Sequence, residues 1–314
     1  MARQSASLNR RGGALAAAPS FGTHLRGFMH QRSTLAFLLC VPLITIIGGL
    51  VVYPFFYSIN LSMLNKAETE YVGLDNFLFL MGRDTFWMVV RQSVLFTVVA
   101  VLFKALIGFI CAHLIHNVSE RGQRVWRGLM LVPWVIPPAL STLGWWWLFD
   151  PTYSAINWLL EATGGQAIPW LSETFWARFA VILVNIWYGA PFFMIMYLAA
   201  LKSIPEELYD AAKVDGASPW QRLLYVTLPM MRNIMAITML FSTIVTFANF
   251  DIVRVLTGGG PRNTTHLFGT YAFHLGIRSG DIPLGAAVSL FMFPILALFA
   301  FLILRDVRQR ASRV

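Results

Sequence analysis

Charged residues cut the chain into long stretches that carry none. No Asp, Glu, Lys or Arg lies between Arg32 and Lys66, or between Arg127 and Asp150. Residues 179–201, 233–250 and 282–304 are also uncharged, and 92–115 is interrupted only by Lys104 and His113. About 20 apolar residues cross the hydrocarbon core of a bilayer as a helix. The pattern therefore predicts six spans, at about 35–59, 92–115, 128–149, 178–201, 233–256 and 282–304. Leu, Ala, Ile, Val and Phe dominate each stretch. None shows the alternation over about ten residues of a barrel strand. The expected fold is an all-α membrane protein with six transmembrane helices.

Composition agrees: 57% of the 314 residues are hydrophobic, and only 12% are charged, against about 25% in soluble domains. The net charge of +9 would suit nucleic acid in a soluble protein. Here the basic residues sit between apolar runs, and no nucleic-acid module is visible, so they report orientation instead. The tail 1–34, the connections 116–127 and 202–232 and the C-terminal segment 305–314 hold sixteen of the twenty-four Lys and Arg. The connection 150–177 holds none. Both termini are expected on the cytoplasmic side, with 60–91, 150–177 and 257–281 facing outward. Trp145, Trp146, Trp147, Trp158, Trp170 and Trp176 suggest an interfacial aromatic belt. The two cysteines, Cys40 and Cys111, stand alone in apolar runs, and the histidines lack metal-ligand spacing, so no metal site is expected.

The connection Ser203–Pro229 is too long to be idle. Pro205, Glu206 and Glu207 suit a helix start, with Ser203 as its cap. Gly216 suits a turn of positive φ, and Ser218-Pro219 a second start. Pro229 is expected just before the fifth span. Such a helix-turn-helix at the membrane surface suits docking onto a partner.

These residues resemble the EAA loop of ABC importer permeases. Asp210-Ala211-Ala212 is followed by three residues, Gly216, nine residues and then Val226-Thr227-Leu228-Pro229. Ile204-Pro205-Glu206-Glu207-Leu208-Tyr209 and Leu256-Thr257-Gly258-Gly259-Gly260-Pro261 are similar to the carbohydrate branch, the MalF-like and UgpA-like membrane subunits. The resemblance covers roughly 35–304. It implies a type I ABC importer permease fold, a multi-pass protein of the bacterial inner membrane. It also implies a second homologous permease, an ATPase homodimer, an extracytoplasmic solute-binding protein and a sugar-like solute. Glu206, Glu207, Tyr209, Asp210, Ala211, Ala212, Asp215, Gly216 and Pro229 would then couple to the ATPase. No Gly-Lys pair occurs, so a Walker A loop is absent. The chain is not expected to be an enzyme or to bind a cofactor; ATP and Mg belong to the partner ATPase.

Polar groups inside spans are candidates for the solute path. Ser242, Thr246 and Asn249 are spaced to share a face of the fifth span. Asn185, Tyr188, Gly189 and Phe192 cluster in the fourth, and Trp134 stands among prolines in the third. Aromatic faces with amides and hydroxyls suit a sugar. The resemblance places these eight at substrate-contacting positions. The bland alternative is that small and polar residues glue helices together. Lys104 is expected to snorkel or to pair with a partner subunit; contact with an anionic substrate is the lesser alternative. Asp251 and Arg254 are expected to pair with each other. Within this family the cargo is a sugar or sugar derivative, with a polyol, a glycerol phosphate or a sulfosugar as alternatives. A gradient-driven secondary transporter would need intramembrane carboxylates, and none lies mid-span. An intramembrane enzyme lacks a nucleophile–base pair.

Overall fold

The computed structural model describes residues 32–311. Most of the expected N-terminal tail 1–34 lies outside these residues. The described chain falls into two units, divided after Tyr57. Helix α1 (Arg32–Ile47) passes through a π-turn at Gly48–Val52 into α2 (Tyr53–Ser62), and the division falls within α2. The apolar side chains of α1 and the π-turn lie open: Leu39 and Leu50 are each 73% exposed. In water that surface would be costly, and in lipid it is at home.

The second unit is a helical bundle. A short α3 (Asp75–Met81) precedes α4 (Asp84–His116), whose 33 residues reach about 50 Å. That span begins eight residues earlier than the charge pattern predicted. Arg91 hid the continuation, because it points outward from the helix while Phe86 and Val89 are buried.

The third span is broken. Helix α5 (Glu120–Val135) meets α6 (Pro138–Leu148) at 89°. Ile136 and Pro137 are extended between them. A residue before proline is driven out of the helical region, and here two prolines follow in succession. The start of α5 also takes in residues 120–127, expected as a connection. After α7 (Ala155–Ala162), helix α8 (Thr174–Lys202) is unbroken despite Pro191.

Between α8 and the fifth span stand α9 (Glu206–Val214) and α10 (Pro219–Arg222). The latter is not a separate surface helix. It runs through a π-turn at Leu223–Thr227 into α11 (Leu228–Phe247). Pro229 therefore lies within a continuous helical rod rather than ahead of it. Proline has no N–H and crowds the carbonyl four residues back. The wider turn just before it, where Leu228 N–H reaches Leu223 O, accommodates both effects.

After a break, α12 (Asp251–Leu256) and α13 (Phe268–Phe273) lead through a π-turn at His274–Arg278 to α14 (Ile282–Ala311). The expected C-terminal tail from 305 is helical as far as Ala311.

Helices α4 and α8 pack along much of their length, with α11 against both. Glycine permits the approach. A Cβ on Gly108 would stand 2.4 Å from Phe193 Cβ. Three apolar clusters hold the bundle, around Tyr197 and Met231, around Phe86 and Phe268, and around Phe149 and Val184. The tryptophan belt is partly corrected. Trp146, Trp147 and Trp158 are exposed, but Trp145, Trp170 and Trp176 pack on the third cluster. Trp170 Nε1 donates to Asn157 Oδ1 at 2.9 Å. Among the described residues there is no named strand, only an isolated bridge between Leu64 and Tyr71.

Candidate functional site: a surface hairpin and a buried lysine cluster

The loop from Ser203 to Arg222 is closed at its central turn and at the start of its second helix. Ser203 does not cap α9: its Oγ donates to Ala200 O at the end of α8. The N-cap position is Pro205, and Glu206 and Glu207 occupy the first turn, where carboxylates face the positive end of the helix. Helix α9 ends in a Schellman motif. Gly216 has φ +75°, its N–H reaches Lys213 O, and Ala217 N–H reaches Ala212 O. Ser218 and Gln221 then close a capping box on α10.

Tyr209 faces inward from α9. Its hydroxyl meets Thr227 Oγ1 at 2.9 Å, and its ring packs on the first cluster with Val226. Glu206, Glu207, Asp210, Ala211, Asp215 and Gly216 are exposed, while Ala212 is half-buried. Asp210 pairs with Lys213 at 2.8 Å, both side chains open to solvent. Three apolar side chains that the motif does not mark also stand out here: Val214 is 88% exposed, Trp220 66% and Tyr225 76%. Their signal was present in the sequence as large apolar residues within an otherwise polar connection. A cleft of about 990 Å³ opens behind the hairpin, lined among others by His116, Lys202, Glu206, Tyr209, Trp220 and Arg222.

Inside the bundle, Lys104 on α4 is 3% exposed. Its Nζ donates to Asn185 Oδ1 at 2.9 Å and to Thr246 Oγ1 at 2.7 Å. Thus three helices, α4, α8 and α11, are joined at one ammonium. Gly189, one turn beyond Asn185, makes room: a Cβ there would stand 2.5 Å from Lys104 Cδ. Lys104 does not snorkel towards the interface as expected: its side chain is buried and its ammonium is held by two acceptors of this chain. The lysine was visible in the sequence, but its acceptors lie 81 and 142 residues away.

The other candidate path residues divide. Asn185, Tyr188, Gly189 and Phe192 share one face of α8. Phe192 packs against Trp134 at 5.9 Å and Phe241 at 5.3 Å between ring centroids. Ser242 is buried one turn before Thr246. Asn249 does not share their helical face, since α11 ends at Phe247. It lies in the break, where its N–H still bonds Thr246 O and its Oδ1 is buried without a partner. Asp251 and Arg254 do not form the expected ion pair. Arg254 instead lies over the Phe273 ring, 5.0 Å from its centroid. No group of three or more metal-ligating side chains occurs among the described residues.

Beyond α12, the Gly258–Pro261 loop closes over His266. A Cβ on Gly259 would stand 2.1 Å from that ring, and its φ of +96° also favours glycine. His266 Nδ1 lies 3.1 Å from Thr270 Oγ1. Burial, then His274 and Arg278 nearby, hold its pKa down at about 4, so the ring is neutral at pH 7.

Residues 104–312 match a family described as the binding-protein-dependent transport system inner membrane component. The trehalose/maltose transport system permease protein MalF of Thermococcus litoralis is 31% identical over 285 residues, covering 90% of this chain and 96% of that protein. The sulfoquinovosyl glycerol transport system permease protein SmoG of Agrobacterium fabrum is 30% identical over 281 residues, covering 88% and 91%. A bacterial ABC transporter involved in the import of the acidic polysaccharide alginate matches in structure with a TM-score of 0.80. Its sequence identity is 22%, over 91% of this chain and 99% of that one. Family members of this kind leave ATP hydrolysis to a separate subunit. The chain belongs to the binding-protein-dependent inner-membrane permease family, as a multi-pass subunit of a sugar ABC importer with the type I fold.

Proposed function

We propose that the chain forms half of a solute path for a sugar or sugar derivative and couples it to an ATPase homodimer through the hairpin Ser203–Arg222. The observation that carries this reading is the hairpin itself. It is closed by a Schellman turn at Gly216 and a capping box at Ser218, tied to the bundle by Tyr209, and yet exposes Glu206, Asp210, Val214 and Trp220. A rigid element with an acidic and apolar outer surface suits docking in a groove of a partner. Because α10 continues into α11 without a break, a push on the hairpin is delivered directly to the helix that bears Thr246.

Both termini and the hairpin are placed on the cytoplasmic side by the distribution of Lys and Arg. A second permease, a solute-binding protein on the outer side, and ATP with Mg on the ATPase complete the machine. Asn185, Tyr188, Gly189, Phe192, Trp134, Ser242, Thr246 and Asn249 are the candidates for the path. The named relatives carry neutral and anionic sugars alike.

The test is mild-detergent purification of the chain from its native membrane, with mass spectrometry of what accompanies it. An ATPase and a second polytopic permease are expected. Recovery alone, under conditions that keep other membrane complexes whole, would defeat the reading and favour a gradient-driven carrier.

A further inference from the structure

Lys104 lies twenty residues from one end of α4 and twelve from the other, deep within the span. Its ammonium has three donors. Two go to Asn185 and Thr246, both neutral, and the third has no acceptor among the described residues. No carboxylate there lies within ion-pair distance. A lone cation at this depth is costly. Volume alone does not require it: a methionine would fill much the same space between α4, α8 and α11, though Asn185 and Thr246 would lose the donor they share.

The position of the ammonium suggests its use. Gly189 is partly exposed, and a Cβ there would stand 3.3 Å from Nζ. The buried ammonium thus lies just beneath the backbone of a partly exposed glycine, with no side chain at 189 between them. Tyr188 and Phe192 flank that point on the same face and are also partly exposed. Trp134 and Phe241 extend the aromatic surface from Phe192.

We propose that Lys104, oriented by Asn185 and Thr246 and lying directly beneath the partly exposed Gly189, is a specificity-determining residue that receives an anionic substituent, a uronate or a sulfonate, on the sugar being imported. The inference rests on the sugar-import reading and names the chemical class of cargo. The aromatic surface would take the C–H face of a ring, and the ammonium its negative group. Charge-assisted hydrogen bonds of this kind are about twice as strong as neutral ones. They are stronger still where water is thin. The Asn185 and Thr246 oxygens hold the amine in place while its third N–H remains free.

The experiment uses the whole transporter, purified with its own partners and reconstituted in proteoliposomes. Uptake is measured for maltose and cellobiose, and for the same disaccharides oxidised to a uronate at C6. Wild type is expected to import a uronate form. In Lys104→Met the ratio of uronate to neutral uptake should fall roughly tenfold or more, and Lys104→Arg, which keeps the charge, should restore part of it. If wild type imports only neutral sugars, the inference is overturned while the sugar reading stands. If it imports no sugar of either kind, the sugar reading fails and the inference with it. An equal loss of both kinds in Lys104→Met, or dissociation of the complex that Lys104→Arg prevents, would assign the charge to packing or to a partner's carboxylate and overturn the proposal.

Discussion

Gly216 illustrates how much one residue controls. Its φ of +75° lies in the left-handed region, while the space a Cβ would occupy is empty. Substitution there is opposed by the backbone and not by crowding. Gly216→Val should cost about 1–2 kcal/mol locally and loosen the Schellman turn, while the chain still inserts. Uptake by the assembled transporter should fall sharply; near-normal uptake would remove the hairpin from coupling.

His266 is a residue of the opposite kind, held by its surroundings. Its folded pKa of about 4 lies below the usual 6.5. The unfolded chain therefore binds the extra proton first, and the stability contributed by the neutral ring is complete above pH 6.5. That contribution declines as pH falls from 6.5 towards 4, by roughly 3 kcal/mol at most. The hydrogen-exchange protection factors of 257–271 should fall between pH 7 and pH 5, and His266→Asn should flatten the dependence. Both the lysine at 104 and the histidine at 266 were legible as letters. The partners of Lys104 were not, because contacts across 81 and 142 residues leave no periodic trace, whereas that of His266 lies only one turn on, at Thr270.

At the scale of elements, proline and glycine explain where helices depart from the apolar pattern. Pro137 and Pro138 turn the third span through 89°. Pro229, by contrast, leaves its rod unbroken, since the π-turn before it absorbs the crowding. The same residue type bends one span and not the other because two successive prolines force extended backbone at Ile136, whereas a single one can be relieved within the helix.

Small residues set the packing between elements. Gly285 approaches Gly276 so closely that a Cβ would stand 2.7 Å from Gly276 Cα, and Gly108 meets Phe193 and the Met194 backbone. Gly108→Leu must push α4 from α8, with a cost of about 1–3 kcal/mol or more. The melting temperature of the purified complex should drop, and Gly108→Ala should lower it less. Equal melting for wild type and leucine variant would contradict the tight crossing. The sequence placed glycines within both spans, but nothing local in it says which helix they face.

At the scale of the molecule, α4, α8 and α11 converge on one ammonium, and α11 is continuous with the hairpin through α10. A continuous helical path thus runs from the hairpin to Thr246, which bonds the lysine. If this is the coupling route, replacing Tyr209 with Phe removes its bond to Thr227, worth about 1 kcal/mol. ATP hydrolysis stimulated by the loaded binding protein should then weaken more than hydrolysis without it. An equal effect on both would argue that Tyr209 serves packing alone.

The charge gaps alone determined that the chain is helical and polytopic, because membrane burial imposes a length of apolar sequence that any reader can measure, and the EAA-type spacing added the resemblance to the permease family. The EAA spacing located the hairpin, since capping and turn chemistry are local in the chain. Only the tertiary structure decided that the third span is broken, that α10 belongs to the fifth, and that Asp251 and Arg254 stand apart. It alone showed that Asn185, Gly189 and Thr246 gather around Lys104. Hydrocarbon tolerates no unsatisfied backbone, so spans declare themselves along the chain. Which face of each span meets which neighbour is settled by packing between distant segments, and that information exists only when the helices are assembled.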